Sequence, residues 1–179
     1  MKHIILFFTL LLASVCPVMA QFNTNRLMIS GRSALYYEDY VLSIQYFNQV
    51  LTAKPYLYEP WFYRGLAKFY LDDFSGAEAD VTKAVELNPY IYNMYELRGL
   101  CRIRQKKYAL AIGDYDHSLR INPQNQAAWY NRALCRVEQK DYKQAQLELD
   151  TVVTKWKKFA GAYSLKAQIF LAEKDTTLH

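Results

Sequence analysis

The chain is short of the residues that punctuate loops and of those that carry chemistry. It has six glycines and five prolines in 179 residues, too few for a loop-rich or disordered chain or for a β fold built on many turns. Histidine occurs three times: His3 near the start, His179 at the end, and His117 alone between them. No Cys/His pair has the spacing of a metal ligand set. There is no glycine-rich phosphate loop and no nucleophile elbow. Carboxylates are plentiful, but they return at a fixed period, as structural residues do. No set of catalytic roles can be filled, so the expectation is a protein that is not an enzyme, with no metal and no cofactor.

Long apolar runs are lacking too, with one exception. "MKHIILFFTLLLASVCPVMA" has Lys2, an apolar run from Ile4 to Ala13, and the small-residue ending Val18-Met19-Ala20. That is the pattern of a secretory signal peptide, and the run is too short to span a bilayer comfortably. An uncleaved anchor is the alternative; a lipoprotein at Cys16 would need a small residue where Val15 stands. Residues 1–20 are expected to be cleaved after Ala20, giving an exported chain that starts at Gln21 and has no membrane span. Its net charge would be +4, one less than the +5 of the full sequence, which demands no nucleic-acid partner.

Cys16 leaves with the signal. Cys101 and Cys135 stand 34 residues apart. If they lie on neighbouring helices they are separated by roughly 8–10 Å, whereas a disulfide needs Cα atoms within about 7 Å. Two free, partly buried thiols are expected.

What the chain does have is self-similarity. "YRGLAKFY" (63–70), "LRGLCRIR" (97–104) and "NRALCRVE" (131–138) follow one another at a period of 34 residues without a gap, and periods of 20–50 mark repeat architectures. Small residues recur at Gly31, Gly65, Gly99, Ala133 and Ala167. Four places before each stands Leu27, Trp61, Tyr95, Trp129 or Tyr163. Nine places after comes an aromatic: Tyr40, Phe74, Tyr108, Tyr142. Pro55, Pro89 and Pro123 mark the same period.

Within a unit the apolar spacing is helical. Phe74, Ala77, Val81, Ala84 and Val85 lie on one stripe of a 3.6-residue period. The breaks "YEDY", "LDDF", "QKKY" and "QKDY" are polar, and the "NP" pairs at 88–89 and 122–123 end each second helix, because Pro disfavours helix in the residue before it. Each unit reads as a helix, a tight turn, a second helix and a second turn.

The segment "WFYRGLAKFYLDDFSGAEADVTKAVELNP" (61–89), with Trp61, Gly65, Ala77, Ala84 and Pro89 at their spacings, resembles the tetratricopeptide repeat family, in an exported bacterial type. The resemblance implies an all-α, right-handed superhelical solenoid of antiparallel helix pairs over residues 21–175. Its units are 24–57, 58–91, 92–125 and 126–159, with a half unit at 160–173 and a tail at 176–179. One unit cannot bury its apolar face, but several stacked units can.

Two columns depart from the family. Arg64, Arg98, Arg132 and Lys166 precede the small residue, and Lys68, Arg102 and Arg136 follow it by three. Arg64 and Lys68 are four apart and share a helix face, so three units build a ladder of six cations. Asp80, Asp114 and Glu148 recur in register, sixteen residues after the arginines. The structural reading makes these acids the partners that partly buried arginines require. The functional reading turns the ladder outward to an anionic polymer or acidic peptide. The register favours the structural one.

The resemblance also implies a concave groove lined by first helices. Its columns hold Met28, Arg32, Tyr36, Phe62, Tyr63, Leu66, Tyr70, Glu96, Leu100, Arg104, Tyr130, Asn131 and Glu138. The peptide-binding candidates among them are Arg32, Tyr36, Phe62, Tyr63, Tyr70, Arg104, Tyr130 and Asn131. Some of these rings are equally readable as packing on the neighbouring unit. The family's carboxylate clamp is not expected: its places hold Met28, Arg32, Tyr63, Asn93 and Leu97, and only the Arg32 charge is retained. A Tyr-rich groove suits an extended or helical peptide.

The resemblance thus points to a scaffold or adaptor in the bacterial envelope, periplasmic or associated with the outer membrane, whose partner is another protein. The alternative is a glycan or anionic-polymer binder using surface aromatics and the ladder. Helix 160–173 carries apolar Ala162, Tyr163, Ala167 and Phe170 with no polar capping helix after it. Either it caps the array itself, or a partner or second copy covers it by self-association, or the chain is part of a longer protein.

Overall fold

The computed structural model describes residues 23–177, with side chains to Lys174; the signal peptide expected at residues 1–20 lies outside the described residues. A helix over 23–36 (α1) is followed by α2 (Tyr40–Ala53), α3 (Tyr58–Tyr70), α4 (Phe74–Leu87), α5 (Tyr92–Arg104), α6 (Tyr108–Ile121), α7 (Gln126–Glu138), α8 (Tyr142–Lys155) and α9 (Ala160–Thr177). From α2 onward each helix packs on the next, with only slight contact between alternate first helices. The described residues form an all-α solenoid of antiparallel helix pairs. The last helix reaches Thr177, past the 173 read from the sequence.

Each turn inside a unit is built the same way. Glu38, Asp72, Lys106 and Lys140 all have φ near +60°, between 60° and 63°, and none is glycine. The residue after each returns its N–H to a carbonyl five places back: Asp39 to Ala34, Asp73 to Lys68, Lys107 to Arg102, Asp141 to Arg136. That bond ends the first helix as a Schellman motif. The same residue then opens the second helix. Asp39, Asp73 and Asp141 accept from the N–H of Leu42, Gly76 and Gln144, the usual N-cap bond. Lys107 has no acceptor to offer, and α6 starts without a side-chain cap.

The turn between units is also repeated. Trp61 Nε1 donates to the Pro55 carbonyl at 2.8 Å, Tyr95 Oη to Pro89 at 3.1 Å, Trp129 Nε1 to Pro123 at 3.0 Å, and Tyr163 Oη to Lys157 at 3.1 Å. The aromatic column is therefore restricted to rings that carry a donor, wherever this bond is made.

The core is a chain of small clusters, each joining one helix pair to the next first helix. Ala77, Val81 and Ala84 of α4 meet Met94, Leu97 and Cys101 of α5. Ala111, Tyr115 and Leu119 of α6 meet Ala128 and Cys135 of α7. Ala145, Leu149 and Val152 of α8 meet Ala162, Leu165 and Ile169 of α9. The glycine column lets the helices of a pair cross closely. A Cβ on Gly99 would lie 2.8 Å from Cζ of Tyr115, and one on Gly31 would lie 2.7 Å from the Phe47 ring.

Cys101 and Cys135 are free. They are fully buried rather than partly so, because each faces the preceding unit from a first helix. Burial pushes both thiols up to about 12, so they stay protonated and inert.

Candidate functional site

The basic ladder lies between helices. Arg64 on α3 donates from Nη2 to Asp80 Oδ1 at 2.6 Å and from Nε to Oδ2 at 2.8 Å, while Lys68 stands 2.8 Å from Oδ2. Arg98 and Arg102 on α5 share Asp114 of α6, at 2.7 and 2.8 Å. Arg132 and Arg136 on α7 share Glu148 of α8, each with Nε 2.9 Å from Oε1. All three acids are buried. Paired guanidiniums are what make such burial tolerable. Burial pushes the carboxyls of Asp114 and Glu148 upward, against the pull of the two guanidiniums beside each.

Arg64, Arg98 and Arg132 also reach back to the preceding unit. Arg64 Nη1 donates to Asn48 at 2.7 Å, Arg98 Nη1 to Thr82 at 3.4 Å, and Arg132 Nη1 to Asp116 at 2.5 Å; Lys166 bonds Asp150 in the same way. Each partner stands sixteen residues before its cation. Each arginine also lies over the ring three places before it, with Arg64 4.7 Å from the Trp61 centroid, Arg98 5.6 Å from Tyr95 and Arg132 4.8 Å from Trp129. One residue thus ties three helices and stacks on an aromatic. The first unit lacks the whole set, with Ser30, Ala34 and Tyr46 at the equivalent places. Base and acid are missing together, as interdependent partners would be.

The last rung is imperfect. Glu148 Oε2 and Arg132 Nε are buried without an aligned hydrogen bond. Glu148 carries one more methylene than the aspartates of the other rungs, and its Oε1 takes its aligned bond from Arg136.

The groove candidates are less uniform. Phe62, Tyr63, Tyr130 and Asn131 are half-buried. Tyr63 stacks on Phe47 of α2 at 5.7 Å and contacts Phe62 at 5.3 Å, with the Arg32 guanidinium 6.0 Å from its centroid. Tyr130 meets Phe159 edge-on at 5.1 Å. Tyr36 is 80% exposed and Tyr70 54%, and Tyr70 stacks on Tyr40 at 5.0 Å. Arg104 is drawn to the preceding turn, 3.3 Å from Asp72 and over the Phe74 ring at 4.4 Å. The structure brings Arg32, Phe62 and Tyr63 into one contact group and leaves Tyr36 and Arg104 outside it. Among the remaining groove columns, Glu96 is half-buried, and burial raises its pKa although Asn125 donates to it.

Sequence reasoning missed Glu78. It receives Arg102 at 2.9 Å, Lys107 at 2.8 Å and Gln105 at 2.9 Å. Burial pushes its pKa upward, but these three donors outweigh it and bring the value to about 2. Its column holds Ile44, Ile112 and Gln146 in the other units, so periodicity gave no signal. His117, itself exposed, stacks on the buried Tyr95 ring at 5.1 Å. Among the described residues no group of three or more His, Cys, Asp or Glu could hold a metal ion, and no helix is long and apolar enough to cross a membrane.

Two sequence profiles described as tetratricopeptide repeats match residues 63–126 and 102–169. Among curated proteins none matches. Solved structures similar to this chain include the first TPR of Spaghetti (RPAP3) bound to the HSP90 peptide SRMEEVD. It is 27% identical with a TM-score of 0.62, over 63% of this chain and 90% of that one. The Arabidopsis OM64 TPR domain is 22% identical with a TM-score of 0.63, over 65% of this chain and 97% of that one. MamA (41-end) from Desulfovibrio magneticus RS-1 is 15% identical with a TM-score of 0.81, over 87% of this chain and 88% of that one. The two profiles together run from residue 63 to residue 169, across the units whose Gly65, Gly99 and Ala133 columns cross the helix pairs: the chain belongs to the tetratricopeptide repeat family.

Proposed function

We propose that this chain is a non-enzymatic scaffold of the bacterial envelope, exported by residues 1–20, that holds an extended or helical segment of another protein on its first-helix face. The observation that carries this reading is the fate of the ladder. Its cations are spent on Asp80, Asp114 and Glu148, so what the first helices offer a ligand is chiefly rings and apolar side chains around Phe62, Tyr63 and Leu66. Tyrosine and phenylalanine supply large contact area at low entropic cost. The RPAP3 structure holds a peptide, which supports a peptide as the class of ligand. An anionic polymer running along the ladder would have to break ion pairs at every rung.

The test is a pull-down from envelope extract with wild type, Tyr63→Ala and Tyr130→Ala, each checked for native helicity. A partner retained by wild type at high salt and lost from Tyr63→Ala supports the reading. A partner that both variants keep, or that salt alone releases, sinks it.

The exposed side of α9 supports self-association as a second contact. Phe170 is 66% and Leu171 61% exposed, and Tyr163 and Ala167 lie open beside them. Light scattering across a concentration series should then show a dimer that Phe170→Glu dissociates; a monomer at all concentrations overturns it.

A further inference from the structure

The turn between α8 and α9 departs from the other inter-unit turns. Where they carry Pro55, Pro89 and Pro123, it carries Lys157, in the run Lys155-Trp156-Lys157-Lys158-Phe159. With Gln126 at the start of α7, these five residues line a cleft of about 570 Å³, within the ~300–1,000 Å³ range of ligand sites. Among the described residues, Lys155, Lys157 and Lys158 form no ion pair. Asp116 of α6 and Asp150 of α8 are already committed, to Arg132 and to Lys166. Lys155 is held over two rings, with Nζ 5.5 Å from the Trp129 centroid and 5.7 Å from Trp156.

We infer that this cleft binds a carboxylate-bearing segment of the protein partner. Three lysines that pair with no acid line one concavity, in a chain whose ladder cations are matched. Gln126 adds an amide that can donate to and accept from a peptide backbone. Phe159, a wall of the cleft, touches Tyr130 of the candidate groove, so a segment lying on the first-helix face can continue into it. The walls favour such a ligand over an anionic membrane: Trp156 and Phe159 are half-buried against the last core cluster rather than projecting as interfacial anchors do. The site lies apart from the places a carboxylate clamp would use, because it belongs chiefly to an inter-unit turn and not to the first helices. The inference rests on the proposed function insofar as the acidic segment belongs to the same partner.

The test follows the indole N–H signals of ¹⁵N-labelled chain by NMR. Titration with triglutamate should move Trp156 and Trp129 saturably while Trp61, in a different unit, stays still. Triglutamine should move none of them. Lys157→Glu/Lys158→Glu should weaken triglutamate binding about tenfold or more, whereas Tyr63→Ala should leave it unchanged. Failure here is thereby separate from failure of the groove, which Tyr63→Ala reports with the native partner. Equal shifts with both peptides, or a response that survives the double charge reversal, overturns the inference. So does lysine-dependent sedimentation on phosphatidylglycerol vesicles that triglutamate does not compete away, which would assign the patch to a membrane surface.

Discussion

Asp114 and Arg98, sixteen residues apart, meet across the α5–α6 pair with Arg98 Nη2 2.7 Å and Nε 3.1 Å from Oδ1. Arg102 holds the other carboxylate oxygen at 2.8 Å. One buried acid therefore answers two cations, and the two halves of the unit are tied by charge as well as by apolar packing.

This asymmetry predicts unequal mutational costs. Asp114→Ala leaves the partly buried Arg98 without a carboxylate and Arg102 with Glu78 alone, and should cost about 3–5 kcal/mol. Arg98→Ala leaves Asp114 with Arg102 and should cost less, about 1–3 kcal/mol. Replacing all three with apolar residues of similar volume should recover much of the loss, because a buried ion cluster adds little over good packing. Urea unfolding of the single and triple variants measures this, and equal losses in the two single variants would contradict the shared-acid arrangement.

The ladder acids and the helix pairs were legible because they repeat. A period of 34 residues brings Arg64 and Asp80 into register, and the register points to pairing before any distance is known. The backward partners Asn48, Thr82, Asp116 and Asp150 repeat as a position but not as a chemistry, so no residue type announced them. Glu78 and the Lys155–Lys158 cleft occur in one unit each. The positive φ at the turns was hidden for a further reason: Glu38, Asp72, Lys106 and Lys140 occupy a conformation whose usual sequence mark is glycine.

That last mismatch can be exploited. A non-glycine residue near φ +60° carries about 1 kcal/mol of strain or more, and glycine is preferred at this place after a helix. Lys106→Gly and Lys140→Gly should each raise stability by about 0.5–1 kcal/mol. Asp72→Gly should gain less, since it also removes the contact with Arg104. Thermal unfolding of the three variants checks the order.

Two glutamates should show opposite pH signatures. The folded-state pKa of Glu78 is depressed to about 2, so its stabilisation is present above the ordinary carboxylate range and lost as pH falls from there through about 2. Glu78→Gln should destabilise at pH 7, by about 1–2 kcal/mol for a partly screened site, with the difference from wild type closing toward pH 2. The pKa of Glu96 is raised, chiefly by burial; its ionisation costs stability, and that cost grows as pH rises through its folded value. Glu96→Gln should match wild type in acid and be the more stable of the two at pH 7. Stability measured against pH decides both, and the same sign for the two variants would refute the assignment.

The close approach of α5 and α6 sets the last expectation. Tyr115 Oη is buried with no hydrogen-bond partner, and its ring lies where a Cβ on Gly99 would come within 2.8 Å. An unpaired buried hydroxyl costs about 1–3 kcal/mol, and an apolar replacement of the same shape removes that cost. Tyr115→Phe should therefore raise stability by about 1 kcal/mol. Gly99→Ala should lower it by about 1–3 kcal/mol, because a packed ring has nowhere to go without leaving its rotamer. Gly113, near the middle of α6, is the control: a Cβ there meets nothing within 4 Å. Gly113→Ala should gain about 0.5–1 kcal/mol from helix propensity alone. If Gly99→Ala and Gly113→Ala shift the melting temperature alike, the glycine column does not serve helix crossing, and the packing account of the repeat fails at its most specific point.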